Sequence, residues 1–160
     1  MGHKPLSASA QRVQDTLKNL GFSYQVMELS QTTRSASDAA KAVGCEIGQI
    51  VKSLVFKTKC TQKPILVIAS GSNRVNEKRI ADLIHEPIEK ANADFVRQKT
   101  GFVIGGVPPV GHLEKIKVFI DEDLMQHKEI WAAAGNPNAV FKLTPLDLVK
   151  MTGGRVISIK

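Results

Sequence analysis

Five segments of the chain carry the sequence signals of helices. Val13, Leu17 and Leu20 recur at helical spacing and Gly21 follows them, which predicts a helix over residues 8–20. Four further helices are predicted to begin after a residue whose side chain can accept a hydrogen bond from the first helical turn. These four N-cap residues are Ser35, Asn76, Asn92 and Thr144.

Segments rich in β-branched and aromatic residues lie between these helices. A short strand is predicted around Tyr24, Val26 and Leu29, and residues 102–104 run into a loop rich in glycine and proline. A hairpin around the turn sequence GNPN is predicted to pair residues 129–134 with residues 139–143. The remaining strands are predicted over residues 50–57, 64–69, 118–120 and 156–159.

Strands and helices follow one another without strict alternation, and neither a repeat nor a long linker interrupts them. This order predicts a mixed α/β (α+β) fold in which helices flank one sheet. A length of 160 residues favours a single domain over residues 1–160. The first seven residues are expected to be flexible.

Composition excludes several classes of protein. The longest strongly apolar run, residues 65–69, is far too short to span a membrane, and the N-terminal sequence lacks the apolar region of a signal peptide. Cys45 and Cys60 are isolated, so neither a disulfide nor a zinc site is expected. The motifs of dinucleotide, Walker-type nucleotide, zincin and serine-hydrolase sites are missing. We therefore expect a cytoplasmic protein with free thiols, no metal and no cofactor.

Positive charge is concentrated in one part of the chain. The formal net charge is +7, and residues 52–79 hold seven cations against the single acid Glu77. These cations are Lys52, Lys57, Lys59, Lys63, Arg74, Lys78 and Arg79. A solvated edge strand, whose lysines protect it against aggregation, would have this composition. A surface that faces phosphates would have it too.

Lys52, in the sequence IVKSLVFK, is the first candidate for a chemical role. Side-chain alternation along a strand places it on the same face as Ile50, Leu54 and Phe56. A cation among apolar neighbours is costly unless it reaches water or meets an anion. Its ammonium therefore either extends to solvent, or binds a phosphate or carboxylate, polarises a carbonyl, or acts as a base.

The loop GGVPPVGH, residues 105–112, is the second candidate. Its prolines fix the backbone and its glycines allow a ligand to approach the backbone closely. Such a loop either is a rigid surface turn or holds an amino group with carbonyls or an oxyanion with amides. His112 at its end is either a general base or a bystander.

At these two features the sequence resembles the YbaK/prolyl-tRNA synthetase-associated editing domain family. Lys52 in QIVKSLVF matches the family's lysine in a strand that follows a short helix. Residues 105–111, preceded by TGFVIG, match its GxxxPxG loop, with Pro109 at the proline position. The order of elements matches from residue 8 to residue 159, and the chain leaves no room for an aminoacylation domain, which favours a free-standing editing protein.

The resemblance implies a curved mixed sheet with flanking helices, and hydrolysis of the ester in a mischarged tRNA. The expected substrate is tRNA(Pro) carrying Cys, Ala, Ser or Thr, and prolyl-tRNA synthetase is an expected partner. Lys52 would be the catalytic lysine near the ester or the terminal ribose-phosphate. The loop would hold the aminoacyl group through Gly105, Gly106, Val107, Pro109 and Gly111. The phosphates of the acceptor end would meet Lys57, Lys59, Arg74, Lys78 and Arg79.

Two other functions remain open at this point. A non-catalytic module of the same fold would bind tRNA or a synthetase and leave the ester intact. A small-molecule amide or ester hydrolase would use Lys52 and His112 and be indifferent to tRNA.

Overall fold

The computed structural model describes residues 5–30 and 35–160 of the chain. Of the N-terminal segment that was expected to be flexible, residues 1–4 lie outside the described residues. Ser7, the last residue of the same segment, caps the first helix, because its side chain accepts a hydrogen bond from the amide of Ala10. The fold begins at this cap.

The described residues form five α-helices at the predicted places, the first predicted from its apolar spacing and the other four from their caps. They are α1 (Ala8–Asn19), α2 (Ala36–Val43), α3 (Glu77–Ile84), α4 (Ala93–Thr100) and α5 (Pro145–Thr152). The side chains of Ser35, Asn76, Asn92 and Thr144 each accept a hydrogen bond from a backbone amide in the first turn. The local capping signal therefore positions these helices correctly.

Eight strands lie within the described part of the chain. They are β1 (Met27–Glu28), β2 (Val51–Thr58), β3 (Pro64–Ser70), β4 (Ile88–Lys90), β5 (Lys117–Asp121), β6 (Ile130–Ala133), β7 (Ala139–Leu143) and β8 (Arg155–Ile157). The sequence did not predict β4, and β8 ends before the predicted Ile159. Two short 3₁₀-helices, Ile47–Gln49 and Glu122–Gln126, precede β2 and follow β5.

The strands form two sheets among the described residues, whereas one was predicted. A five-stranded mixed sheet has the order β4-β2-β3-β5-β8, and a three-stranded antiparallel sheet has the order β1-β7-β6. A parallel bridge between Ile50 and Trp131 joins the two. The two sheets are distinct because, among the described residues, β6 is bridged to the residue before β2 and forms no ladder with β2 itself. The mixed α/β class is confirmed.

Strand β3 is the centre of the molecule, and all seven of its residues are buried. Leu66 and Ile68 face the larger apolar cluster, which includes α1 and the β6–β7 hairpin. Val67 and Ala69 face the smaller cluster, which contains Ile80 of α3. Coverage of both faces explains why the sequence of β3 is continuously apolar.

Candidate functional site

A cleft of about 750 Å³ runs along the exposed edge of β2. Strand β4 pairs with β2 only over Phe56–Thr58, which leaves the earlier residues of β2 uncovered on that side. All residues from 51 to 56 line the cleft. Its other walls come from α2, from Trp131 and the alanines that follow it in β6, and from the segment around Arg74.

The cleft contains Lys52, half-buried between β2 and the segment that follows β3. Its Nζ donates a hydrogen bond to the backbone carbonyl of Asn73, 2.7 Å away. Burial lowers the pKa of Lys52, the nearby Arg74 lowers it further, and Asp121 acts in the opposite direction. An ammonium has three N–H donors. One is used by Asn73, so two can be directed to a bound ligand.

A network of hydrogen bonds holds Asn73 beneath Lys52. The amide nitrogen of the Asn73 side chain donates to Asp121 and to Asp123, at 2.8 Å in each case. Asp121 is fully buried and also accepts the backbone amide of Ser70 at 2.9 Å. Neither Asn73 nor Asp121 was predicted from the sequence. An acid at the end of β5, directly after three apolar residues, was the available signal for Asp121.

The glycine- and proline-rich loop reaches the cleft through two of its five predicted residues, Gly105 and Val107. Gly105 is exposed and has a backbone φ of +88°, which favours glycine. Gly106 packs so closely on the β6–β7 hairpin that a Cβ would lie 2.5 Å from the Cα of Asn136. The structure therefore brings Lys52 and the start of this loop into one cleft.

The other predicted loop residues do not line the cleft. Pro109 is buried, and Gly111 packs against Thr16 of α1. His112 points back into its own loop, where its Nε2 is 2.7 Å from the carbonyl oxygen of Pro108. Burial lowers the pKa of His112, and the hydrogen bond to Pro108 opposes that shift. His112 is not among the residues that line the cleft.

The cations of residues 52–79 are spread over β2, the turn after it, the segment after β3 and the start of α3. Arg74 lines the cleft beside Lys52. Lys57 lies five residues along the extended β2 from Lys52, roughly 17 Å away, and pairs with Glu89 at 3.4 Å. Lys59 is exposed beyond the end of β2, whereas Lys78 and Arg79 are exposed on the first turn of α3.

Two further cleft residues were missed by the sequence analysis. The side chain of Ile104 is 57% exposed and lines the cleft beside Gly105. Ser53 lines it as well, and its hydroxyl is the one buried side-chain polar atom in the described part of the chain without a hydrogen-bond partner. Their roles depend on which segments meet in space, which no local pattern indicates.

Neither a metal-binding cluster nor a membrane-spanning helix is found in residues 5–30 and 35–160. Among these residues, no three His, Cys, Asp or Glu side chains are grouped so that they could hold a metal ion. No helix formed by these residues has the length and apolar character needed to cross a bilayer.

A lysine and a glycine–proline loop that share one cleft of a mixed α/β fold are the combination expected of an editing domain. The family described as "Aminoacyl-tRNA editing domain" matches residues 30–151. That match covers more than half of the sequence, so the chain belongs to the aminoacyl-tRNA editing domain family.

A solved structure agrees with this assignment. The structure called "Crystal structure of a putative trans-editing enzyme for prolyl tRNA synthetase" superposes with a TM-score of 0.92 at 46% identity. The match covers 98% of this chain and 99% of that one. The two proteins therefore share the whole fold described above.

Two curated relatives are more distant. The "Putative Cys-tRNA(Pro)/Cys-tRNA(Cys) deacylase EbsC" of Enterococcus faecalis is 25% identical, over 81% of this chain and 79% of that protein. The proline–tRNA ligase of Limosilactobacillus fermentum is 29% identical over 62% of this chain, and the match covers 19% of the ligase. The chain is thus similar to part of a much longer synthetase.

Proposed function

We propose that this protein is a free-standing, trans-acting deacylase that hydrolyses the ester of a mischarged tRNA, with tRNA(Pro) carrying Cys, Ala, Ser or Thr as its substrate. The observation that supports this most strongly is the shared cleft, in which Lys52 faces the same space as Gly105 and Val107. The likeness to a trans-editing enzyme over nearly the whole of both chains supports the free-standing form.

Lys52 is the proposed catalytic residue. Its ammonium keeps two donors for the terminal ribose-phosphate or for the ester carbonyl. Water attacks the carbonyl carbon, the bond from that carbon to the ribose oxygen breaks, and the proton from water passes to the ribose oxygen. Negative charge develops on the carbonyl oxygen during attack, and a fixed cation in a half-buried site stabilises it.

The loop is proposed to position the aminoacyl group. Gly105 presents exposed backbone at the cleft, and the lack of a side chain allows the ligand to approach it. Gly106, Pro109 and Gly111 act indirectly, since they pack the loop against the β6–β7 hairpin and α1. Val107 is buried and supplies an apolar wall.

The walls of the cleft favour a small aminoacyl side chain. Five alanines line it, two from α2, one directly after β4 and two from β6, and Trp131 lines it as well. These alanines are Ala36, Ala39, Ala91, Ala132 and Ala133. A synthetase pocket built for proline cannot strongly reject amino acids of similar or smaller size, because one methylene is worth roughly 1–3 kcal/mol. A second site that admits these smaller amino acids can remove them from the tRNA by hydrolysing the ester.

Phosphates of the tRNA acceptor end are proposed to bind on the side of the cleft formed by residues 74–79. Arg74 lines the cleft, while Lys78 and Arg79 project from the start of α3. Lys57 and Lys59 at the far end of β2 would meet a more distant part of the acceptor stem. Prolyl-tRNA synthetase is the proposed source of the mischarged tRNA.

A panel of charged tRNAs tests this proposal. Purified tRNA(Pro) is charged with Cys, Ala, Ser, Thr or Pro, and ester hydrolysis by excess protein is followed. Rapid hydrolysis of at least one mischarged species, with Pro-tRNA(Pro) spared, is the expected result. The same amino acids on a non-cognate tRNA measure tRNA specificity.

The two alternative functions give different results in this panel. A binding module would retain charged tRNA on a filter and leave every ester intact. A small-molecule hydrolase would cleave free aminoacyl esters equally well with and without tRNA and would lose activity in His112→Ala. Either result would overturn the proposal.

A further inference from the structure

Asp121 is a buried charge that the proposed reaction does not yet use. It ends β5, and none of its side chain is exposed. A buried carboxylate is tolerated only when hydrogen bonds replace its water. Three donors do so here: the backbone amides of Ser70 and Asp123, and the side-chain amide of Asn73. Asp121 itself does not line the cleft.

Asn73 connects this carboxylate to the cleft. Its side chain donates to Asp121, and its backbone amide donates to the carbonyl of Ser70 at 3.0 Å. These two hydrogen bonds fix the side chain and the backbone amide of Asn73, and the backbone carbonyl of the same residue accepts the hydrogen bond from Lys52. The position of the Lys52 ammonium is therefore determined by a residue that Asp121 holds in place.

The C-terminal residues hold the same segment from the other side. Lys160 pairs with Asp123 at 2.9 Å, and Asp123 accepts the second hydrogen bond from the Asn73 side chain. The backbone amide of Asn76 donates to the carbonyl of Ile159 at 2.6 Å. The segment that carries Asn73 and Arg74 is thus bound on both sides.

We propose that Asp121, acting through Asn73, positions the Lys52 ammonium for the deacylation reaction. Asp121 and Asn73 are then positioning residues, since neither has to touch the substrate. This inference rests on the proposed function for its catalytic consequence, but the hydrogen-bond relay itself is independent of the substrate.

Asp121→Asn is the first test variant. All three groups that face Asp121 are donors, so the new amide of asparagine necessarily directs an N–H at one of them. Asn73→Ala is the second variant, which keeps the buried charge and removes only the side chain that links it to the segment. Glu122→Gln is the matched control, because it neutralises an exposed acid next to Asp121 in the chain.

Deacylation kinetics give the first readout. Both test variants are expected to lower kcat for the mischarged tRNA by about 10- to 100-fold, the size typical of a displaced catalytic group. The KM is expected to stay within about twofold of the wild-type value, because Arg74, Lys78 and Arg79 remain. Glu122→Gln is expected to match the wild type. A loss of folding alone would instead lower the melting temperature and the active fraction.

Acetylation of Lys52 by a trace of acetic anhydride, measured by mass spectrometry relative to Lys150, gives the second readout. Both variants keep the carbonyl of residue 73 but no longer hold it in place, so the Lys52 amine is expected to react several-fold faster in Asp121→Asn and Asn73→Ala than in the wild type. If Asp121→Asn does not fold, Asn73→Ala decides the question.

The outcomes separate this inference from the proposed function. A wild type that hydrolyses no mischarged tRNA overturns the proposed function, and the acetylation experiment then still tests the relay. Wild-type kcat together with wild-type acetylation in the folded variants overturns the role of Asp121 and Asn73. A rise in KM with unchanged kcat overturns it as well, since that result places them in tRNA binding.

Discussion

At the scale of single residues, the charged ammonium of Lys52 is available to a ligand but costs the folded protein stability. Burial is the largest cause of its lowered pKa, and Arg74 adds to it. A lysine whose pKa is lower in the folded state than in the unfolded state destabilises the protein while it is charged. Its retention in the wall of a cleft is the pattern expected of a functional residue.

Lys52→Met is therefore expected to raise the stability of the protein at pH 7. The unfolded state binds more protons than the folded state between the lowered pKa and the ordinary value of 10.5, so wild-type stability rises with pH across that window. The gain from Lys52→Met is largest below the window and disappears above it. Urea unfolding at several pH values measures this. If the stability gained by Lys52→Met grew toward pH 10.5 instead of shrinking, the expected pH dependence would be contradicted.

Ser53 has a hydroxyl that is buried in the cleft wall without a partner among the described residues. An unpaired buried hydroxyl costs roughly 1–3 kcal/mol. Ser53→Ala is expected to stabilise the protein, by about 1 kcal/mol. Denaturant unfolding measures this, with Ser23→Ala as a control because Ser23 is exposed. A clear loss of stability in Ser53→Ala would mean that its hydroxyl has a partner.

At the scale of elements, the C-terminal segment supports the cleft from behind. Ile159 is fully buried in the smaller apolar cluster with Ile80 and Phe119, although it lies beyond the end of β8. Its carbonyl holds Asn76 at the start of α3. The end of the chain therefore stabilises the segment that carries the cations of the cleft.

Ile159→Ala is expected to lower the free energy of unfolding by about 2–5 kcal/mol, since it empties a buried site. Val156→Ala is the matched control, because Val156 is 39% exposed and a smaller effect, below about 1 kcal/mol, is expected there. Equal effects of the two substitutions would contradict the placement of Ile159. Both are measured by denaturant unfolding.

The sequence predicts elements well where their signals are local. Ser35, Asn92 and Thr144 cap helices within three residues of themselves, so the helix starts could be predicted. Strand β4 is only three residues long and too short for a recognisable pattern. The way the two sheets meet could not be predicted, because the bridge that joins them connects Ile50 and Trp131, which are distant in the chain.

The candidate site was predicted in part for the same reason. Lys52 stands out as a cation in an apolar strand, and the loop stands out by its glycines and prolines. Asn73 and Asp121 are 48 positions apart, and nothing local indicates their hydrogen bond. The spread of the charged run could not be predicted either, because the extended strand carries Lys57 roughly 17 Å from Lys52.

At the scale of the whole molecule, a net charge of +7 suits a polyanionic partner. The lining of the cleft combines the cations Lys52, Arg74 and Lys90 with apolar residues, five of which are alanines. This combination suits a ligand that carries both a phosphate and a small aminoacyl group.

Reversing charge at Arg74 and Lys78 is expected to weaken tRNA binding and to flatten its salt dependence. Each lost phosphate contact lowers the slope of log affinity against log salt by about 1. Binding of Arg74→Glu/Lys78→Glu is measured between low and moderate salt. Lys150→Glu on α5, away from the cleft lining, is the control. An unchanged slope in the double variant would remove these residues from the tRNA interface.

Lys52 in this cleft is proposed to carry out the deacylation of mischarged tRNA. Single-turnover hydrolysis of mischarged tRNA(Pro) by the wild type, Lys52→Ala and the control Lys150→Ala tests this proposal. We expect hydrolysis by the wild type and Lys150→Ala, and a rate for Lys52→Ala at least about 100-fold lower, with the fold retained. Equal hydrolysis by Lys52→Ala and the wild type would contradict it.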